Sequence, residues 1–115
     1  MLPAEALPYF EDMIYLPMLL KILSNDRETL AGVKLNKPYF HMIDKSIQAI
    51  QSDLQKSHGY MRRNQMKLLK GKSDEMFTEY TFMHRGYEDS RRYLNARLKN
   101  RTEELIELYF AKVMV

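Results

Sequence analysis

From Phe40 onward an apolar residue recurs every three or four positions: Phe40, Ile43, Ile47, Ile50 and Leu54. An α-helix gathers such positions into one stripe, so the segment reads as an amphipathic helix with a core-facing seam. The seam runs on through His58, Met61, Gln65 and Leu68 but weakens, and Gly59 marks a kink or an end. The spacing predicts a helix from about Pro38 to Leu69, capped by Asn36 with Pro38 in its first turn.

Downstream, Met76, Phe77, Tyr80, Met83 and Tyr87 share one helical face, and Leu94, Leu98, Leu105, Leu108 and Tyr109 extend the stripe. Residues 76–83 also have the β-branched and aromatic content of a strand. A lone strand needs a partner, however, and no other segment reads as one. Glu88 and Arg92, and Lys99 and Glu103, stand at i,i+4 and support exposed helical faces. The pattern predicts helix from Ser73 to about Lys112, with Gly86 its soft point and Lys70-Gly71-Lys72-Ser73 the preceding turn.

The first third is punctuated. Pro3, Pro8, Pro17 and Pro38 all precede residue 39. Residues 3–24 are predicted helical, kinked or broken at Pro17. Ser24-Asn25-Asp26 stops this element, and Asn25 with Glu28 opens another turn or two ended by Gly32.

The expected fold is a single all-α domain over 1–115. A long antiparallel hairpin, 37–70 and 73–112, is crossed by a proline-marked N-terminal helical segment, 1–33. Folding at residue 71 or 72 places Asp53 near Arg91 and Arg92, and Asp44 near Arg97 to Arg101. A strand at 76–83 would replace the hairpin with an α+β fold.

Composition fits one globular domain: 115 residues, 45% hydrophobic and 29% charged. The absence of cysteine excludes disulfides, thiolate catalysis and Cys-based zinc, and it fits a reducing cytoplasm. No basic n-region precedes an apolar run, so no secretory signal is expected. The apolar run Met13 to Leu23 is shorter than the ~20 residues that span a bilayer.

Charge is uneven. Residues 1–33 hold two basic and five acidic side chains, residues 34–72 nine and two, and residues 73–115 seven and eight. Within the basic middle, Arg63, Lys67 and Lys70 follow i, i+4, i+7 spacing. Arg62 and Lys72 flank them, and Tyr60 is placed to stack on a base. Such a stripe suits phosphates, an anionic membrane surface or an acidic protein. The plainer reading is a solvated helix end facing Glu75 and Glu79.

Reactive chemistry has little support. No Gly-rich phosphate loop, His-Glu-x-x-His, EF-hand loop or Glu-x-x-His pair is present. His41, His58 and His84 read as helix-face histidines, although the hairpin brings His58 and His84 together. Glu103, Glu104 and Glu107 read as a solvated face flanked by Lys99, Arg101 and Lys112. No catalytic residue, cofactor or metal is assigned.

The chain has nine methionines, most of which read as core fillers, and eight tyrosines. Tyr9, Phe10, Tyr15, Tyr39, Phe40, Tyr80, Tyr87, Tyr93, Tyr109 and Phe110 are more large aromatics than a three-helix core of this size must bury. Methionine and tyrosine are both used at adaptable binding faces. Tyr9, Phe10 and Tyr15 are the expected apolar interface, for another protein or a second copy. The sequence therefore points to a non-enzymatic, cytoplasmic helical interaction module, an adaptor or small regulator. The alternative is a nucleic-acid-binding protein using the basic face of residues 60–72.

Overall fold

A computed structural model describes residues 2–114. A short 3-10 turn, Ala4–Ala6, leads into helix α1, Leu7–Leu30, and helix α2, Lys37–Arg63. Three strands follow, β1 Met66–Ser73, β2 Phe77–His84 and β3 Tyr87–Leu94, and helix α3, Asn95–Val113, closes the chain. The strands form an antiparallel meander in the order β1-β2-β3. The fold is α+β. The expected all-α hairpin is overturned, because the centre of the chain is a sheet.

The helical seam is where the sequence placed it. Ile43 and Ile50 are buried on α2. Gly59 stays inside the helix, which ends at Arg63 rather than near Leu69. Asn64 accounts for the exit. Its side-chain amide donates to the Tyr60 carbonyl at 2.9 Å, and Gln65 adopts a left-handed φ of 54°. A carbonyl capped by a side chain and a residue outside helical φ together end the helical ladder.

Helix α1 is longer and less broken than predicted. It runs through Pro17 and through Ser24-Asn25-Asp26 as one element. Pro17 is on the exposed side, while Leu16, Leu19 and Leu23 are buried. Burial of that stripe outweighs the lost hydrogen bond and the weak local propensity. Asn25 caps nothing, and its carbonyl accepts the Thr29 hydroxyl at 3.2 Å.

Strand β2 resolves the ambiguity of residues 76–83. Thr78, Tyr80 and Phe82 are buried, and Phe77, Glu79, Thr81 and Met83 alternate with them, half-buried. That is the period of a strand. Its partners are polar because both are edge strands of a sheet with one solvated face. Leu68 of β1 and Asp89 of β3 flank Phe82, and Lys70 and Arg91 flank Tyr80. Gly86 is the second residue of the β2–β3 turn rather than a soft point in a helix. Arg85 and Gly86 have φ of 49° and 87°, the two positive values of a type I′ hairpin. At the other turn the Asp74 carboxylate accepts the Met76 and Phe77 N–H groups at 2.8 and 2.7 Å. Those two bonds hold its pKa below the usual value.

The core has two parts. In one, the inner face of the sheet meets α1: Phe10 stacks on Phe82 with centroids 4.7 Å apart, beside Met61, Met66, Tyr80 and Leu98. In the other, Leu16, Leu19 and Leu23 of α1 meet Ile43 and Ile50 of α2, and α3 covers them with Ile106 and Phe110. The expected charge pairs are replaced. Asp44 binds Arg27 at 2.7 Å, and Asp53 accepts the Tyr109 hydroxyl at 2.6 Å.

Candidate functional site

The basic residues singled out in the sequence do not form a helical stripe. Arg62 and Arg63 occupy the last turn of α2, whereas Lys67, Lys70 and Lys72 lie on β1. Strand alternation sends Lys67 and Lys70 to opposite faces of the sheet, and a register irregularity between Lys70 and Ser73 carries Lys72. All five are exposed. They follow the rim of the molecule from the end of α2 along β1.

Strand β1 is a free edge. It pairs with β2 alone, and among the described residues no other backbone group bonds to 66–73. Beside it lies a groove of about 370 Å³. Met13 of α1, Met61 of α2, and Met66 and Leu68 of β1 supply its apolar surface, and His58, Arg62 and Lys67 supply its polar surface. No acidic residue lines it. Arg62 Nη2 is 3.4 Å from His58 Nδ1, one turn earlier on α2.

The expected apolar interface is divided by the fold. Phe10 is 0% and Tyr15 6% exposed, so both belong to the core. Tyr9 remains half-exposed, with its ring stacked on Tyr60 at 3.7 Å between centroids. Tyr60 therefore has one face already occupied. Part of the exposed apolar surface lies on the sheet and its β1–β2 turn, at Leu69, Met76, Tyr87 and Leu94, and part at the far end of the helices. Leu23, Leu30, Met42 and Phe110 line a groove of about 330 Å³, and Tyr39 and Met42 are shared with its neighbour of about 480 Å³ reaching Met114. Leu35, on the α1–α2 connection, is 80% exposed.

A polar network between the helices was not anticipated. Ser57 donates to Asp12 Oδ2 at 2.6 Å, joining α2 to α1. The Tyr109–Asp53 bond joins α3 to α2 in the same region. Burial raises the Asp12 pKa, partly offset by the Ser57 bond, and the nearby Asp53 charge raises it further. Burial and donation to Asp53 push the Tyr109 hydroxyl upward. The predicted seam runs through His58, but His58 is exposed and its neighbour Ser57, three residues after Leu54, is the buried position of α2 there.

The tyrosines under the sheet are stabilised in their neutral form. Burial is the main cause at Tyr15, Tyr80 and Tyr93, and Tyr93 is pushed up to about 12. Among the described residues no three His, Asp or Glu side chains converge on a metal-sized site. His58 and His84 lie on α2 and at the end of β2, and no carboxylate joins His58 in its groove. Among the described residues no helix is long and apolar enough to cross a membrane.

The fold and its grooves define a small α+β protein, in which three helices back one face of a three-stranded meander whose basic edge is open. The chain belongs to the YhjD protein family, whose model matches residues 1–114. It is 34% identical over 113 residues to the uncharacterized protein YhjD of Bacillus subtilis (strain 168), a match covering 94% of this chain and 92% of that one. No solved structure matches it.

Proposed function

We propose that this protein is a non-enzymatic interaction module, an adaptor or small regulator that works through protein–protein contacts in the cytoplasm. The observation that carries this reading is the methionine-floored groove beside the free β1 edge, rimmed by Arg62, Lys67 and His58. Methionine side chains adapt to irregular apolar partners. Cations at a rim steer an acidic partner and set its register. The test is capture from nuclease-treated lysate of the native organism, comparing wild type with Arg62→Glu/Lys67→Glu. A protein retained by wild type and lost by the variant supports the reading. Equal capture by the two, or none by either, refutes it. Cell fractionation checks the location.

Nucleic-acid binding is the second reading, favoured by five exposed cations, Arg62, Arg63, Lys67, Lys70 and Lys72, on one rim. The stacked Tyr9–Tyr60 pair counts against it, since one face of the candidate stacking ring is occupied. It requires the logarithm of affinity to fall by roughly 0.7–0.9 units per phosphate contacted for each tenfold rise in salt. Self-association through the apolar end around Tyr39 and Met114 belongs to the interaction reading and is checked by light scattering.

A further inference from the structure

We propose that the β1 edge binds an extended acidic peptide as a fourth strand, with one apolar side chain of that peptide seated in the methionine groove. The inference rests on the interaction reading above and names the partner's chemistry and its binding mode.

Three observations converge on this edge. The first is geometric. Met66 and Leu68 face the helices, Lys67 faces away, and yet all three line one groove. A groove touching both faces of a strand lies along its edge, so it is reached by whatever pairs with that edge. The second is backbone capacity. Strand β1 bonds to β2 alone, which leaves its outward N–H and C=O groups for a partner among the described residues. A strand added there gains main-chain bonds, and its alternate side chains reach each face in turn.

The third observation is charge. Strand β1 carries Lys67, Lys70 and Lys72 and no acid, with Arg62 and Arg63 immediately before it. Strand β3, the other edge, mixes Glu88 and Asp89 with Arg91 and Arg92. Two β1 edges meeting each other set lysine against lysine, so a second copy is repelled there. An acidic strand is attracted. The same lysines that block self-pairing therefore select the partner. The apolar floor of Met13, Met61 and Met66 adds the requirement for one large aliphatic or aromatic side chain.

The probe is an acetylated, amidated and fluorescently labelled octapeptide alternating glutamate with leucine or valine. A second version is N-methylated at alternate residues, which keeps every charge and side chain and removes strand-pairing donors. Anisotropy titrations use the full-length protein and its Arg62→Glu/Lys67→Glu variant. Both substituted side chains are exposed, and circular dichroism checks that the variant is folded. The expected result is saturable binding, weakened about tenfold or more by N-methylation and also by charge reversal.

Equal binding of the two peptides overturns strand addition. Binding that charge reversal leaves unchanged overturns the assignment to this edge. Failure of the peptide to bind, while lysate capture still depends on Arg62 and Lys67, overturns this proposal and leaves the interaction reading standing. Failure of both removes both. Tighter binding of a labelled oligonucleotide than of the peptide, abolished by the same variant, assigns the edge to nucleic acid and overturns the proposal.

Discussion

Replacing Phe82 by alanine tests whether the sheet docks on α1. Phe82 and Phe10 are both 0% exposed, and their rings stack with only 3° between planes. Truncating a buried phenylalanine costs about 3–5 kcal/mol through lost burial and the cavity left behind. Part of that is the ring pair, about 0.5–1.5 kcal/mol. A domain of this kind is stable by only roughly 5–15 kcal/mol, so the loss takes a large fraction of the total. With a urea slope of about 1–3 kcal/mol per molar, the unfolding midpoint should fall by roughly 2 M. The control is Phe77→Ala. Phe77 lies on the other face of β2, half-buried under the Arg92 guanidinium at 4.1 Å. Its loss should cost about 1 kcal/mol, mostly the cation–π contact. A helical stripe over 76–87 makes the opposite demand, because it buries Phe77 and leaves Phe82 off the apolar face. The assay is urea unfolding followed by circular dichroism. A larger loss at Phe77 than at Phe82 would refute the sheet's orientation. The Phe10→Ala/Phe82→Ala double variant should cost about 1 kcal/mol less than the two single losses together, because the pair is removed only once.

Other expectations follow from the same geometry. Tyr109→Phe removes the donor to Asp53 and should cost about 1–3 kcal/mol by thermal or urea unfolding; a neutral result would mean that water replaces the hydroxyl. Asp12 has a raised pKa, so the folded state binds its proton more tightly than the unfolded state, and its contribution falls as pH rises through a window starting near 3.8. Asp12→Asn keeps an acceptor for Ser57, so its gain over wild type should be present at pH 7 and shrink as pH approaches 3.8. A gain that grows on acidification would reverse the assigned sign. At the β2–β3 turn, Gly86→Ala should cost about 1 kcal/mol because φ is 87°, whereas Arg85→Asn should be neutral or stabilising, since asparagine suits the first position of such a turn. Equal effects at the two positions would argue against this turn.

Much of the helical half was legible. The Phe40–Leu54 seam predicted α2, and Leu98 and Leu105 predicted the packed stripe of α3, because helical periodicity survives wherever one face is buried. The candidate groove was half legible. Arg62, Lys67 and their neighbours were marked by charge, but the helical spacing assigned to them was an accident of residues on either side of a turn. Met13 is more than forty residues from the rest of the groove, and no local pattern connects them.

By itself the sequence determined the amphipathic seam, the absence of thiol chemistry, the basic middle, the stop near Gly32 and the start of α2 after Asn36, although the Asn36 side chain donates to the Ala31 carbonyl and does not cap the helix. These depend on residue identity and short-range spacing. Only the tertiary structure decided that residues 66–94 are a sheet. Met-Phe-Thr-Glu-Tyr-Thr-Phe-Met satisfies a helical stripe through Phe77, Tyr80 and Met83 and a strand stripe through Thr78, Tyr80 and Phe82. The choice fell to the strand because α1 presents Phe10 to receive Phe82, and because two polar edge segments supply the backbone partners that a strand needs. The long run of α1 through Pro17 was decided in the same way. Its buried leucines gain more from contact with α2 and α3 than one missing hydrogen bond costs.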